Sequence, residues 1–320
     1  MKILLATYPM AHQTPGGGEI QIHYYKKYLT KIGHKVKLFN NWNDKIKNYD
    51  LVHFFSCVGG SQHFCNYVKS SGIPLVISPN LWITNKNKNQ YNLTEIQNIL
   101  SLGDKIVCNS KIEMKMMLKI FDLKKKSIEY VYNGVDPIFL KKTNPNLFKK
   151  KYKISYNFLL NVANIEKRKN QLELVKACNQ INQKIIIIGK VRDNNYLNQI
   201  KLIDKNKNLK IISNINHNSL ILRSAYSACS HFVLPSILET PGLSALEAAA
   251  SGKNILITKE GSTKEYFLKN ANYYDKKIEK SLRNLIKLPN YSTKNKMFIK
   301  NYLWSKCIQR LEGIYKKIKK

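Results

Sequence analysis

The sequence predicts an α/β protein with two domains, each built on a doubly wound parallel sheet. Short apolar strand patterns alternate with amphipathic helix patterns throughout the chain, which is typical of parallel α/β folds. A length of 320 residues is enough for two full hydrophobic cores. The turn cluster Asn133–Pro137, followed by the basic stretch 141–155, separates two halves that repeat the same alternation. We therefore predict one domain at 1–140 and a second at 156–290.

The first half begins with a buried strand, a glycine-containing loop and an amphipathic helix. In that helix, expected over 19–32, Ile22, Tyr25 and Leu29 recur at helical spacing and predict a buried face. Residues 79–92 are polar and rich in Asn and Lys, so we predict a long loop there. Ser110 and Glu113 form a capping box that predicts the start of a further helix. Strands are predicted at 2–7, 35–39, 50–55, 75–78, 105–108 and 128–132, and helices at 19–32, 62–70 and 110–120.

The second half repeats the pattern, and a last helix follows it. Strands are predicted at 157–163, 184–189, 209–213, 231–234 and 254–258, and helices at 170–180, 194–203, 219–228 and 243–250. The last helix, at 304–318, carries an apolar stripe with Trp304, Leu311 and Tyr315 that must pack on something. In open α/β sheets, ligands bind beyond the carboxyl ends of the strands, so candidate site residues are expected in the strand-to-helix loops.

Composition limits the class of protein. The net charge is +34 and 43% of residues are hydrophobic, and no apolar run reaches the ~20 residues that span a membrane. Six scattered cysteines without a Cys-x-x-Cys pair predict reduced thiols, no zinc site and a cytoplasmic protein. The charge has two interpretations. One is a compositional bias toward Lys and Asn with no functional meaning, and the other is an anionic partner such as donor phosphates or a membrane surface.

Two carboxylates eight positions apart, Glu239 and Glu247, lie in the otherwise apolar or small segment 234–252. Pro241 and Gly242 separate Glu239 from a helix-forming run, so Glu239 should end a loop and Glu247 should lie about two turns inside the helix. A helix N-terminus carries about half a positive charge and suits a phosphate. The amides that should be free there are those of Gly242, Leu243 and Ser244. This combination indicates a nucleotide-sugar site, and the alternative is an amphipathic helix with one capping and one solvated Glu.

The same segment resembles the Glu-x7-Glu motif of retaining GT-B glycosyltransferases of family 4. The resemblance implies that Glu239 contacts the donor sugar and that Glu247 binds the ribose hydroxyls, with Gly242 and Leu243 at the sugar and phosphates. It implies a GT-B fold, in which two doubly wound Rossmann-like domains face each other across a cleft. It also implies that the C-terminal helix, at 303–320, rejoins the N-terminal acceptor domain, while 156–290 forms the nucleotide-sugar donor domain.

The segment 162–170 resembles the family's Gly-Arg…Lys-Asn phosphate loop, whose Arg and Lys neutralise the donor diphosphate. Here Ala163 and Asn164 stand in place of the Gly and the Arg, and Lys169 matches the Lys. Loss of the Arg removes a forked, charge-assisted contact with phosphate, for which Arg168 is a candidate substitute. The alternative is a basic helix N-terminus exposed to solvent.

The glycine run before the first helix lets backbone amides approach a ligand closely. It resembles the family's Gly-Gly loop, so Gly17 and Gly18 are candidates for contact with donor phosphate or acceptor. Family members often carry a His after a middle strand of the first domain, where this chain has Asn80. By its position after the first strand, His12 is the nearest candidate for a catalytic histidine, although a lone His is more often structural.

We therefore expect a retaining, hexosyl-type glycosyltransferase with Glu239, Lys169 and His12 as catalytic candidates. The absence of an Asp-x-Asp sequence favours a metal-independent enzyme without a cofactor. Expected partners are a nucleotide-sugar donor, a glycan or lipid-linked acceptor for polysaccharide or glycolipid synthesis, and an anionic membrane to which the protein is peripheral. Nucleic acid is disfavoured because no zinc-finger or RNP motif occurs. The alternatives are a catalytically silent nucleotide-sugar binding protein and a charge-driven polyanion-binding protein.

Overall fold

The computed structural model describes residues 1–13, 15–213, 215–274 and 277–318 and divides the chain into two compact units. The first unit comprises Met1–Gly134 and the C-terminal segment from Trp304 onward, and the second unit comprises Val135–Leu303. Each predicted strand is present, with ends within two residues of those expected. Both sheets are parallel throughout, as the alternating pattern predicted.

The first unit holds a six-stranded sheet in the order β2-β1-β3-β4-β5-β6. Strands β3 and β4 are buried at every position, because helices cover both faces of the sheet and require continuous apolar strands. The strands are β1 Lys2–Thr7, β2 Lys35–Leu38, β3 Leu51–Phe55, β4 Leu75–Ser78, β5 Lys105–Cys108 and β6 Ile128–Tyr130. The helices of this unit are α1 Gly17–Lys31, α2 Gln62–Ser70, α3 Leu93–Leu102, α4 Lys111–Ile120 and α13 Trp304–Ile318.

The C-terminal helix α13 packs on the sheet and on α1 of the first unit. The indole of Trp304 stacks on Tyr24 with ring centroids 5.1 Å apart, and both side chains are buried. The hydroxyl of Tyr315 lies 2.5 Å from Nδ1 of His53, which is wholly buried in β3. The apolar stripe predicted for this helix is thus part of the first unit's core.

The second unit has the strand order β12-β11-β10-β7-β8-β9. From β7 the chain first adds β8 and β9 on one side and then β10, β11 and β12 on the other, so the strand order reverses between β7 and β10. The strands are β7 Leu159–Val162, β8 Ile185–Ile188, β9 Leu209–Ile212, β10 Phe232–Leu234, β11 Ile255–Thr258 and β12 Asn272–Tyr274. The helices are α5 Asn146–Lys151, α6 Gln171–Gln180, α7 Asn194–Ile203, α8 Leu220–Ala228, α9 Leu243–Ala250, α10 Thr263–Phe267, α11 Ile278–Leu285 and α12 Thr293–Phe298.

The unit boundaries differ from the predicted domains. Residues 135–140 belong to the second unit, because Phe139 is buried with its ring 5.8 Å from that of Tyr226. The segment 141–155 contains α5, whose Phe148 is fully buried 5.9 Å from Phe158. At the other end the second unit continues past residue 290, because α12 packs on α9 and the Asn295 amide donates to the Lys253 carbonyl. The stretch 141–155 is so basic that its sequence indicates a polar linker, and its buried Phe148 was therefore not predicted.

Several short elements were not predicted. Helix α3 follows the expected loop and is capped by Asn92, and its Ile96, Ile99 and Leu100 are buried. Helices α10, α11 and α12 and strand β12 lie after the last predicted strand of the second unit. All six cysteines are buried free thiols. Across the described ranges, no helix is long and apolar enough to cross a membrane, and no cluster of three His, Cys, Asp or Glu could hold a metal ion.

Candidate active site

The candidate site of the second unit lies at the point where its strand order reverses. Strands β7 and β10 are adjacent, and their carboxyl ends carry the segments 163–170 and 235–242. The two strands pair in register only at Leu160 and Phe232. Beyond this, the side-chain amide of the buried Asn161 donates to the Val233 carbonyl at 2.8 Å and links the strands in place of a backbone bond. In such sheets ligands bind in a crevice at this point, outside the carboxyl ends of the two strands.

Glu239 is fixed through its backbone to the loop after β11. Its N–H donates to the Glu260 carbonyl at 3.3 Å, and its carbonyl accepts from Ser262 N at 3.0 Å. Gly261 lies between these two contacts with φ of +94°, and a Cβ on it would come within 2.1 Å of the Glu239 carbonyl oxygen. Only glycine fits at this position. Glu239 is therefore held in place by two loops, one from each of two neighbouring strands.

Helix α9 begins at Leu243, one short turn after Glu239, with Gly242 as its N-cap at φ +88°. A Cβ on Gly242 would lie 2.8 Å from a methyl carbon of Leu234, so a side chain there would meet both backbone strain and a clash. The backbone amides of Gly242, Leu243 and Ser244 donate to no acceptor in the described ranges. Unsatisfied amides at a helix start, together with the helix dipole, favour a bound anion.

The carboxylate of Glu239 is buried and ionised. Its Oε1 accepts from Lys169 Nζ and from Ser236 Oγ, each at 2.5 Å. Burial alone would raise the pKa of Glu239, but the positive charges of Lys169 and Arg168 and these hydrogen bonds outweigh it and leave the pKa lowered. Oε2 accepts no hydrogen bond from any described residue and lies next to Gly242. One carboxylate oxygen is thus anchored by the protein, and the other lies at the start of α9 without a described hydrogen-bond partner.

The segment after β7 carries Lys169 and Arg168 and places both next to the segment that carries Glu239. The Arg168 carbonyl accepts from Ile237 N at 2.9 Å, which ties this segment to the one that carries Glu239. The Arg168 guanidinium, expected as a substitute for the missing Arg, bonds to the Leu238 carbonyl at 3.3 Å and to Glu166 at 3.1 Å. Asn164 lies at the start of the segment, and its carbonyl accepts from the Gln171 side chain at 2.8 Å.

Arg192 was not predicted as a site residue. It lies in the loop after β8, and its guanidinium contacts the second oxygen of Glu166 at 3.1 Å. Its backbone N–H also donates to the Ile165 carbonyl, which joins the loops after β7 and β8. Arg192 and Arg168 therefore share one carboxylate beside Lys169. The signal in the sequence was a basic residue in the strand-to-helix loop of the neighbouring strand.

Glu247 lies inside α9, buried, with both carboxylate oxygens hydrogen-bonded to the protein. His217 Nε2 contacts Oε1, and the Tyr226 hydroxyl donates to Oε2 at 2.7 Å. His217 follows β9 and Tyr226 lies on α8. Neither residue was predicted, although His217 is a histidine in a strand-to-helix loop, the same criterion that singled out His12. No local pattern predicts that these two side chains meet Glu247, because the contacts bring together three separate segments: the loop after β9, α8 and α9.

The first unit carries the remaining candidates at the carboxyl ends of its own strands. Helix α1 starts at Gly17 and not at residue 19, so Gly17 and Gly18 form its first turn after the N-cap Gly16. The Glu19 carboxylate accepts from Gly16 N at 2.6 Å and completes a capping interaction. A Cβ on Gly18 would lie 3.6 Å from the side-chain nitrogen of Asn80, whose oxygen accepts from Asn109. The glycine run and Asn80 are therefore neighbours.

His12 lies in a short 3₁₀ turn, Ala11–Gln13, after β1. It is exposed, and its ring is 5.5 Å from that of His23 in an edge-to-face arrangement. Burial, His12 and Lys26 together lower the pKa of His23, against an opposing effect of Glu19. His12 and the glycine run both follow β1, whereas Glu239, Lys169 and Glu247 all belong to the second unit.

Comparison with known proteins places this geometry in a family. Residues 144–302 match the family model described as glycosyl transferases group 1, and residues 40–139 match the model described as glycosyltransferase family 4. An uncharacterized glycosyltransferase of Methanocaldococcus jannaschii is 25% identical over 233 residues, which are 68% of this chain and 60% of that protein. The chain thus aligns with about three-fifths of the length of this relative.

Solved structures show the same fold. HepE of Anabaena, crystallised with UDP, has a TM-score of 0.79 at 16% identity, with 99% of this chain and 100% of that chain covered. Sucrose-phosphate synthase of Thermosynechococcus elongatus gives a TM-score of 0.79 at 14% identity and 99% coverage of both chains. A glycosyltransferase of Rickettsia africae gives 0.78 at 17% identity, covering 99% and 98%. With two matched family models and this fold, the chain belongs to the GT-B glycosyltransferases of the group 1 and family 4 type.

Proposed function

We propose that this glycosyltransferase moves a hexosyl group from a nucleotide-sugar to a glycan, lipid-linked or other acceptor, with retention of anomeric configuration. The observation that carries the proposal is the Lys169–Glu239 pair beside the open amides of α9, at the point where the strand order reverses. An anion-binding helix start, a cation and a buried carboxylate within one crevice suit a substrate that joins a diphosphate to a sugar.

In this proposal the diphosphate lies against the amides of Gly242, Leu243 and Ser244, with Lys169 beside it. When the donor arrives, the Lys169 ammonium turns from Glu239 toward phosphate oxygen, and the open Oε2 of Glu239 accepts from a sugar hydroxyl. Breaking the glycosidic bond puts negative charge on the leaving nucleoside diphosphate and positive charge on the sugar ring. Lys169 and the start of α9 stabilise the negative charge on the leaving group, and the ionised Glu239 stabilises the positive charge on the sugar ring.

The ligands bound to structural relatives suggest which nucleotide base and which sugar to test first. HepE of Anabaena was crystallised with UDP-glucose as well as with UDP and glucose. This supports UDP-glucose as the first donor to try, followed by GDP- and ADP-sugars. Thermal unfolding with UDP, GDP and ADP gives the quickest ranking, because a ligand that binds only the folded state raises the unfolding temperature. We expect one base to give the largest shift.

A catalytically silent nucleotide-sugar binding protein is the second candidate. It is favoured by Asn164 and Asn80, which stand where the resemblance leads us to expect Arg and His. Incubating purified protein with each donor and measuring release of nucleoside diphosphate separates the two. We expect slow release without acceptor and faster release with a glycan or lipid-linked acceptor. Tight donor binding with no release under any of these conditions would favour the silent protein.

We also propose that the protein works in the cytoplasm and is peripheral to an anionic membrane. The net charge of +34 supports this, as do Lys26, Lys27 and Lys31 on α1 of the first unit. Lys27 and Lys31 lie over the ring of Tyr28, with their ammonium nitrogens 5.5 Å and 5.0 Å from its centre. Lysines over an aromatic ring offer both charge and amphipathic surface to a headgroup region.

A further inference from the structure

The two protein partners of Glu247 form a small, specific arrangement. His217 contacts one carboxylate oxygen and Tyr226 donates to the other, and the two residues come from different segments, the loop after β9 and helix α8. The Glu247 and Tyr226 side chains are almost wholly buried, whereas 26% of the His217 side chain is exposed. The carboxylate is therefore held from within the unit, and its surroundings open to solvent on the side of His217.

The partners are themselves held in place. The ring of the buried Phe139 lies 5.8 Å from Tyr226 and 6.0 Å from His217, so one aromatic side chain packs against both. Tyr226 also packs against Phe232 of β10, with ring centroids 5.8 Å apart. Neither partner can easily rotate away from Glu247, because close-packed interiors restrict rotamer changes.

Two carboxylates act on His217. Burial alone would lower the pKa of His217, but Glu247, a hydrogen bond with Asn218 and the carboxylate of Asp136 outweigh burial and raise the pKa. The charged groups that face His217 are thus Glu247 from α9 and Asp136 from the segment before Phe139, and the hydroxyl of Tyr226 is the other polar group at Glu247. The His217 contact gives the buried Glu247 carboxylate a polar partner, and a buried carboxylate without one would be costly.

The Glu247 carboxylate can accept more hydrogen bonds than its two protein partners donate. Each carboxylate oxygen has about two acceptor positions. In the contacts described above, one position on Oε1 is used by His217 and one on Oε2 by Tyr226. One further position on each oxygen can accept a ligand hydroxyl, and two adjacent oxygens match two adjacent hydroxyls. Donors on both oxygens fix the plane of the carboxylate before any ligand arrives, which lowers the entropy lost on binding.

We propose that His217 and Tyr226 are positioning residues that orient Glu247 to accept both hydroxyls of a cis diol, and that they thereby give the site its preference for ribonucleotides. The inference rests on the proposed function, in which Glu247 meets the ribose of the donor. It adds to that function two residues that act through Glu247 and a specificity that depends on them.

The test is the ratio of dissociation constants for a 2′-deoxynucleoside diphosphate and its ribonucleotide, measured calorimetrically for UDP, GDP and ADP. A ratio is insensitive to the fraction of protein that is folded, so partial unfolding of a variant does not distort it. We expect the wild-type protein to prefer the ribonucleotide by about tenfold or more, since one lost hydrogen bond to a charged group has this effect. Glu247→Ala should abolish the preference.

His217→Ala and Tyr226→Phe should each reduce the preference about three- to tenfold, as expected for one lost orienting bond. His217→Gln keeps an N–H donor and should restore most of it. Matched controls come from the same unit. Tyr196→Phe removes another buried hydroxyl, which accepts from Leu172 N, and His231→Gln alters another histidine, which contacts the Leu288 carbonyl. Both controls should keep the wild-type ratio.

The outcomes distinguish the inference from the proposed function. If Glu247→Ala loses the preference while His217→Ala and Tyr226→Phe keep it, the positioning role is overturned and the ribose assignment stands. If Glu247→Ala keeps the preference, both the assignment and the positioning role are wrong. If the wild-type protein binds none of the three nucleoside diphosphates, the proposed function and the inference fail together. Loss in both positioning variants with recovery in His217→Gln supports the inference.

Discussion

Lys169 Nζ lies 2.5 Å from Oε1 of Glu239, although 70 positions separate the two residues in the chain. Lys169 ends the short turn after β7 and Glu239 lies in the loop between β10 and α9. The two strands are neighbours because the strand order reverses between them. Both side chains are mostly buried, with exposed fractions of 14% and 6%. The contact therefore has a structural role as an ion pair and, in the proposed reaction, a chemical role as the place where phosphate and sugar meet.

Replacing Lys169 should affect turnover more than donor affinity. The charge on the leaving diphosphate grows as the bond breaks, so a cation there contributes more in the transition state than in the ground state. Lys169→Met should lower kcat by about 10²–10³-fold, the scale for loss of one preorganised donor. Lys167→Met, an exposed lysine of the same turn, is the matched control and should keep the parent rate. Parent turnover in Lys169→Met together with loss in Arg168→Ala would mean that the phosphate-binding cation is Arg168.

The same variant should also destabilise the protein, because Glu239 would remain buried without its cation. Breaking one partner of a buried pair costs about 3–5 kcal/mol. The double variant Lys169→Met/Glu239→Gln should recover much of this free energy of unfolding while remaining inactive. Urea unfolding measures the free energy of unfolding, and a donor turnover assay measures the activity. If the double variant were no more stable than Lys169→Met, the ion pair would not be the cause of the lost stability.

Stability should fall in weak acid because of His53. Its Nε2 lies 2.9 Å from Ser78 Oγ, which itself donates to the Val107 carbonyl, so Nε2 carries the proton. Nδ1 then accepts from Tyr315, as only a neutral ring can. Burial lowers the pKa of His53 to about 3. The unfolded chain, with a His pKa of about 6.5, binds more protons between these values, so this contribution is complete above pH 6.5 and is lost as pH falls toward 3.

Urea unfolding from pH 4 to pH 7 measures this effect. The free energy of unfolding should carry a slope of up to about 1.4 kcal/mol per pH unit from His53, and His53→Gln should remove it. At pH 7, Tyr315→Phe should cost about 1–3 kcal/mol, because it leaves a buried ring nitrogen without a donor. Tyr67→Phe, at an exposed tyrosine of the same unit, should change stability by less than about 0.5 kcal/mol. An unchanged slope in His53→Gln would contradict the neutral assignment.

The sequence predicted the parts of this protein that depend on local pattern. Strand positions, the start of α9 and the location of Glu239 before Gly242 follow from apolar runs, Pro and Gly. The contacts that surround the two carboxylates could not be predicted in the same way. His217, Tyr226 and Arg192 reach the site through strand order and helix packing, which no local pattern encodes. Basic composition likewise hid α5, whose single buried Phe148 decides its place in the core.

Donor turnover should persist in excess chelator. Sequence motivates this, because no Asp-x-Asp is present to hold a metal on the diphosphate. The proposal assigns charge neutralisation to Lys169 and to the amides of α9 instead. Turnover assays with excess EDTA, and with added Mg²⁺ or Mn²⁺, provide the measurement, and Lys169→Met is the internal comparison. Activity that EDTA abolishes and either metal restores would refute metal independence and would require a metal that bridges donor phosphate and protein.

We expect binding to anionic vesicles to depend on where the α1 lysines lie and not only on the total charge of the protein. Each lysine near an anionic surface contributes about 1 kcal/mol, so replacing Lys26, Lys27 and Lys31 with Gln should lower partitioning by about 10²-fold. The matched control replaces three exposed lysines of α4 in the same unit, those at 111, 115 and 119, which changes the net charge equally. Vesicle flotation at fixed salt measures both variants against the parent.

We expect the α1 variant to lose recovery on anionic vesicles and the α4 variant to keep most of it. A field from the whole protein falls off within a Debye length of about 8 Å, so only lysines that meet the surface count individually. Equal losses in the two variants would show that total charge, not the α1 face, determines binding. Equal recovery of the parent on neutral and anionic vesicles would make the excess of lysine a compositional feature. In either case the acceptor would have to be sought without assuming that α1 meets a membrane.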